Sequence, residues 1–214
     1  MFLSQLNNKV ANIKNSKIKN NLNESNSLHV FDIDETLFNT NAKIHIKNKN
    51  SETVKTLNNQ QFNDYVLQQG ESYDFHEFRD PHKFRNESTP INSMIKKITA
   101  IHNNIKGSAS KIIMNTARSD FTDKEPVLQK FRDHGIDIDD MHLHRAGNIP
   151  GNHKPAEKKN VILTKYLDSG KYTTVHFYDD SETNLKAFYQ LEKKYPNIKF
   201  NAYLVKHGKL EKYK

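Results

Sequence analysis

From Pro90 to Val205 the chain switches repeatedly between helical spacing and short apolar runs, and this alternation limits the fold more than any other feature. Ile91, Met94, Ile95, Ile98 and Ile101 recur at helical spacing behind Pro90, a residue suited to a first helical turn. Gly107 closes that helix, and 111–118 reads as a buried strand running into polar residues. Helical stretches over 126–134, 155–167 and 185–191 then alternate with strands over 141–145, 173–180 and 199–205. Gly135 and Gly170 suit helix C-termini, and Pro196 lies beyond the last helix. Strands alternating with helices call for a parallel sheet covered on both faces. The expected class is α/β, with a Rossmann-like parallel sheet. No internal repeat interrupts it.

One further strand precedes the alternation. Leu28, Val30 and Phe31 form a short apolar run that stops at Asp32, with Asp34 and Thr36 following at two-residue spacing. Two carboxylates at the end of a buried strand repel each other unless something neutralises them, and a hard cation such as Mg²⁺ does so through oxygen ligands. The strand over 111–118 ends in Thr116, Ala117 and Arg118, and that over 173–180 ends in Asp179 and Asp180. Ligands of open α/β sheets bind beyond the carboxyl ends of the strands. These three polar strand ends are therefore the candidate site.

Between the first strand and the alternation lies 39–90, read as an insertion packed over the mouth of the site. Leu57, Phe62, Tyr65, Val66 and Leu67 suggest a helix within it, and Pro81 breaks any continuous helix further on. Residues 73–85 interleave aromatic and basic side chains. Phe75, Phe78 and Phe84 are expected to form the insertion's own core, with Arg79, His82, Lys83 and Arg85 as candidates to face a substrate. His142 and His144 share one strand face but lack a further ligand set, so a structural role is expected.

Residues 1–27 form a polar lead, in which Val10, Ile13 and Ile18 are spaced for one weak amphipathic helix carrying Lys9, Lys14, Lys17 and Lys19. The expected core spans 28–214. A net charge of +8 favours polyanionic partners. Cysteine is absent, which excludes disulfides and thiolate metal sites. No apolar stretch reaches membrane-spanning length, and 1–6 is too short for a signal peptide, so no membrane partner and a cytoplasmic location are expected.

Asp32-Ile-Asp34-Glu-Thr36, Asn115-Thr-Ala-Arg118 and Tyr178-Asp-Asp-Ser181, in this order and at strand ends, give a sequence that resembles the haloacid dehalogenase superfamily of phosphotransferases over roughly 28–205. The resemblance implies that Asp32 is the nucleophile, forming an aspartyl-phosphate, and that Asp34 protonates the leaving oxygen and then activates water. Thr116, with Ala117 and Arg118, would bind the phosphoryl group. Asp179 and Asp180 would complete a Mg²⁺ shell with Asp32 and the Asp34 carbonyl. The family's lysine near a helix start matches Lys154, directly before Pro155; Lys158 is the alternative one turn on, and Lys159 a third.

Three departures leave branch and substrate open. Glu35 stands where glycine is frequent, as in the acid phosphatase and polymerase-tail phosphatase branches; Asn184 replaces a usual acid; Ala117 replaces a frequent glycine. Too few residues separate Arg118 from Lys154 for a second large insertion, so one cap between the first and second motifs is expected. The resemblance thus implies a Mg²⁺-dependent phosphomonoester hydrolase. Its partner would be a phosphorylated small molecule, a nucleotide or a nucleic-acid end. The motif order is also similar to that of the 3′-phosphatase domains of end-healing polynucleotide kinases. The competing readings are a non-catalytic basic module that binds nucleic acid and a phosphotransferase with an acceptor other than water.

Overall fold

The computed structural model describes residues 26–151 and 153–213. The helix expected from Val10, Ile13 and Ile18, with its lysines, lies outside the described residues. β1 (Ser27–Phe31) is the apolar run before Asp32, and all of it except Ser27 is buried. A long excursion follows, made of β2 (Phe38–Asn39), β3 (Ile44–Lys47), β4 (Thr53–Leu57), α1 (Asn59–Asp64), β5 (Ser72–Asp74), a 3-10 turn over His76–Arg79, α2 (Pro81–Glu87) and β6 (Thr89–Pro90). Within it β3 is the middle strand of a separate antiparallel sheet, flanked by β4 and β5. Strand alternation turns Ile44 and Ile46 inward to meet Leu57, and Phe62, Tyr65, Leu67, Tyr73 and Phe78 pack against them. β2 and β6 pair antiparallel where the excursion leaves and rejoins the main body.

Several local expectations change here. Leu57 ends a strand instead of entering a helix with Phe62. Asn58 is the cause: its side chain accepts from the Gln61 N–H, Gln61 returns the bond to the Asn58 N–H, and this capping box opens α1 just past Leu57. Pro81 begins a helix as well as breaking one, because Asp80 caps α2 and Pro81 takes its first position. Phe84 packs into the main core, not the insertion's own. Pro90 lies in β6, and the helix expected there starts after it.

From that point the alternation unfolds as α3 (Asn92–Ile105), β7 (Lys111–Thr116), α4 (Glu125–Asp133), β8 (His142–Arg145), α5 (Pro155–Leu167), β9 (Thr174–Asp179), α6 (Glu182–Gln190), β10 (Lys199–Lys206) and β11 (Lys209–Lys212). The main sheet has six strands in the order β11-β10-β9-β1-β7-β8. Every neighbouring pair is parallel except β10 and β11. β11 has one apolar residue, Leu210, and is exposed throughout. Its placement comes from the turn, where His207 and Gly208 both have positive φ, as a tight hairpin requires.

Alternate residues of each parallel strand feed different cores. Phe31, Met114 and Tyr178 join α3 and α4 on one face through Met94, Ile98, Val127 and Phe131. Val30, Ile113 and Phe177 join α5 and α6 on the other through Leu163, Leu167, Leu185 and Phe188. The chain steps outward from β1 to β7 and β8, then crosses back to β9 on the opposite side of β1. That reversal opens a crevice at the carboxyl ends of β1 and β9. Among the described residues, no helix is long and apolar enough to cross a membrane.

Candidate functional site

Because β7, β1 and β9 are neighbours, their polar ends meet. The Asp32 N–H donates to the Tyr178 carbonyl at 3.0 Å, continuing the β1–β9 pairing and setting Asp32 at the crevice. Asp179 ends β9, Asp180 follows it, and Thr116 ends β7. Asp32, Thr116 and Asp179 are buried, and Asp180 is half-buried.

Lys159 joins the strand ends. Its Nζ lies 2.7 Å from Asp32 Oδ1 and 2.7 Å from Asp179 Oδ2. Lys154 and Lys158, the expected lysines, do not reach these carboxylates, and helix phase explains why. Ala156, Lys159, Ile162, Leu163 and Leu167 form the buried stripe of α5, whereas Lys154 sits exposed ahead of the helix and Lys158 is half-buried beside the stripe. Asn115 fixes the turn that carries Lys159, its Nδ2 donating to the Lys159 carbonyl at 3.1 Å.

Asp179 is held from several sides. The Asn184 amide donates to both its oxygens at 2.9 and 3.1 Å, and the Ser181 N–H donates at 2.9 Å. Asn184 therefore acts on Asp179 as a donor, which an acid at that position could not do in its ionised form.

Asp34 faces a different cation. Arg118, itself buried, reaches it with Nε at 2.9 Å from Oδ2 and Nη2 at 2.7 Å from Oδ1, a two-pronged charge-assisted contact. The same guanidinium donates from Nη1 to the Phe78 carbonyl at 2.9 Å and from Nη2 to Thr40 Oγ1 at 3.2 Å. Arg118 thus ties the second motif to the first and to the insertion. Gly147 packs against this loop: a Cβ there would lie 2.4 Å from the Ala117 carbonyl oxygen and 2.7 Å from the Arg118 carbonyl carbon. Glu35 has a φ of 58°, the left-handed region that favours glycine, and its carboxylate accepts the Thr40 N–H at 3.1 Å.

The electrostatics follow from one imbalance. Burial pushes the Asp32 carboxyl up to about 7; Lys159 opposes that shift, while Asp179 and Asp34 add to it. Burial, Asp179 and Asp32 also push Asp180 well above the ordinary carboxylate range. For Lys159, burial works against the charge, but Asp179 and Asp32 outweigh it and raise its pKa. Ionised together, three carboxylates against one ammonium would leave two negative charges in a poorly solvated place, which is why Asp32 and Asp180 hold their protons more tightly than ordinary carboxyls. Oxygens of Asp32, Asp179 and Asp180 lie within 4.8 Å of one another, a group able to hold a divalent cation.

Above the carboxylates opens a cleft of about 1190 Å³. Asp32, Asp34, Ala117, Arg118 and Asp180 line its inner end, with Lys154 and Lys158 beside them. The insertion supplies Phe62, Tyr73, Phe75, Phe78 and Arg79. The other basic residues expected to face a substrate are occupied elsewhere. Lys83 pairs with Glu87 at 2.9 Å and Glu77 at 3.4 Å, Arg85 lies 3.5 Å from Asp133, and His82 is exposed outside the cleft lining. His142 and His144 both hydrogen-bond the Tyr166 hydroxyl, at 2.8 and 2.6 Å. Proximity to Pro155 puts Lys159 last of the three lysines, and nothing in the sequence marks Gly147. A lysine in the middle of the apolar stripe of α5 was the available signal for the first. Comparison with family models, curated proteins and solved structures finds no match for the chain.

Proposed function

We propose that the chain is a Mg²⁺-dependent phosphomonoester hydrolase of the haloacid dehalogenase type, with a Rossmann-like core and the 39–90 insertion as its cap. The observation that carries this reading is Lys159 bound between Asp32 and Asp179 at the reversal of strand order. A module that only binds nucleic acid has no use for a buried carboxylate paired in this way. An all-oxygen donor set whose ionised form carries two negative charges beyond what Lys159 balances fits a hard divalent cation. Asp32 and Asp180 offer its less committed oxygens, since Asp179 already accepts from Lys159, Asn184 and Ser181.

When bound, Mg²⁺ supplies Lewis-acid withdrawal of charge from the phosphoryl oxygens. An Asp32 oxygen forms a bond to phosphorus as the ester P–O bond breaks, giving an aspartyl-phosphate and an alkoxide that takes a proton from Asp34. Asp34 then receives a proton from the water that attacks phosphorus, the acyl-phosphate P–O bond breaks, and inorganic phosphate leaves with Asp32 restored. Lys159 keeps Asp32 oriented and balances part of the charge gathered there. Arg118 occupies both oxygens of Asp34 at rest, so its fork must release one of them, and that oxygen must take up a proton from solvent, before Asp34 can serve the leaving group. An incoming phosphate is the natural competitor for that guanidinium. Aromatic and basic side chains together in the cleft favour a nucleotide or a nucleic-acid terminal phosphate over a small sugar phosphate. A cytoplasmic location accords with that substrate class.

The test is phosphate release with Mg²⁺ from p-nitrophenyl phosphate and from 3′- and 5′-phosphorylated oligonucleotides. Asp32→Asn keeps the shape and removes the nucleophile, and turnover is expected to fall roughly a thousandfold or more. A folded Asp32→Asn protein with near-normal turnover would sink the covalent mechanism.

A further inference from the structure

We propose that the insertion carries a second metal site, in which His45, His76 and Glu77 hold a Zn²⁺-class cation. One ligating atom from each residue lies within 4.8 Å of the other two. Two imidazoles and one carboxylate are a donor set used for zinc, with the fourth position open to water. The site shares no residue with the carboxylate group under the cleft.

The outer partners separate this trio from an ordinary charge pair. His45 Nδ1 lies 3.2 Å from Thr56 Oγ1, and His76 Nδ1 lies 3.0 Å from Asp74 Oδ2. Glu77 Oε2 accepts the Lys43 N–H at 2.9 Å. Each histidine is thereby oriented through Nδ1, leaving Nε2 as the nitrogen to ligate, and Glu77 is oriented through Oε2, leaving Oε1. Histidines that bind metals are fixed in this manner, the second ring nitrogen engaging a carboxylate or another oxygen. Glu77 Oε1 and His45 Nε2 are already 2.7 Å apart and share a proton, whose place the cation takes.

The geometry closes with one modest movement. Ligand bonds of about 2.1 Å place neighbouring donors about 3.4 Å apart. The rings of His45 and His76 are stacked, with centroids 4.9 Å apart, so the His76 ring must pivot about its Nδ1–Asp74 contact to bring Nε2 inward. Its side chain is 54% exposed and stands at the start of the 3-10 turn, which leaves room for that pivot. The bound cation clasps that turn to β3. The same turn carries Phe78, whose carbonyl receives Arg118, and Arg79, which lines the cleft. The site therefore steadies the cleft wall from behind.

The experiment titrates Zn²⁺ into the full, chelator-stripped chain by calorimetry in excess Mg²⁺, which occupies all-oxygen sites and competes poorly for imidazole. One Zn²⁺ per chain and a rise in Tm are expected. His76→Ala should weaken that binding at least a hundredfold with an unchanged circular dichroism spectrum. Asp74→Asn should weaken it ten- to a hundredfold through the outer partner alone. The double variant His142→Ala/His144→Ala should bind as the parent does. Failure of the parent to take up Zn²⁺ in Mg²⁺, binding that survives His76→Ala, or binding lost in the His142/His144 variant would each overturn the site.

Discussion

Lys159 stands between two buried carboxylates that it cannot neutralise alone, so its removal exposes the imbalance. Lys159→Met leaves Asp32 and Asp179 without a counter-charge and is expected to cost roughly 3–5 kcal/mol of stability, read by urea unfolding. Phosphate release should be lost with it. Adding Mg²⁺ should restore part of the stability but not the activity, because the cation replaces the charge and not the hydrogen bond that orients Asp32. Lys154→Ala, outside the buried stripe, should unfold at the parent's midpoint. A Lys154→Ala protein less stable than Lys159→Met would contradict the helix phase described above. Three lysines in the stretch 154–159 cannot be ranked by their distance from a proline. What separates them is which face of α5 meets the sheet, and Ala156, Ile162 and Leu163 mark that face.

At the level of elements, legibility followed apolar signal. β1, β7, β9 and β10 and the helices between them were readable because burial on two faces demands runs of apolar residues, and helix packing demands a regular stripe. β4 was not, since Leu57 is its one buried residue, and β11 has none. The same limit hid Gly147, whose importance lies in what a side chain would strike. Gly147→Ala forces the backbone of Ala117 and Arg118 to shift, and is expected to cost about 1–3 kcal/mol and to lower kcat by displacing the Arg118 fork from Asp34. Gly107→Ala meets open space and should cost only about 1 kcal/mol for its positive φ, with kcat unchanged. β1 also sets a pH dependence. Burial, with His176 and Lys97 adding to it, lowers the His29 pKa from 6.5 to about 3. The unfolded chain therefore binds the proton more readily. Stability from this group is complete above pH 6.5 and falls by about 1.4 kcal/mol per unit as pH drops toward 3. His29→Phe keeps a ring to stack on His176 and should reduce that slope in urea titrations between pH 6 and 4, leaving the part due to His176, His144 and His134, which burial also lowers.

For the molecule as a whole, the question is whether a net charge of +8 serves recognition or only solubility. The insertion's aromatics do two things at once. Phe62 packs edge-on against both Tyr73 and Phe75, yet all three also line the cleft, and Phe75 is 40% exposed. Of the basic residues around them, Arg79 lines that cleft while Lys83 and Arg85 are engaged with acids. If the cleft takes a nucleic-acid end, Arg79 meets a phosphate beyond the one being cleaved. Arg79→Ala should then raise KM for a phosphorylated oligonucleotide several times more than KM for p-nitrophenyl phosphate, which has no second phosphate. Lys83→Ala and Arg85→Ala should leave the ratio of the two KM values at the parent's level. Salt supplies an independent measure. Each phosphate contacted on a single strand contributes about 0.7 to the slope of log affinity against log salt. Arg79→Ala should lower the oligonucleotide slope by about that amount, with p-nitrophenyl phosphate nearly flat for both proteins. Equal slopes for parent and variant, with an unchanged KM ratio, would assign the positive charge to solubility and leave a small phosphorylated metabolite as the substrate.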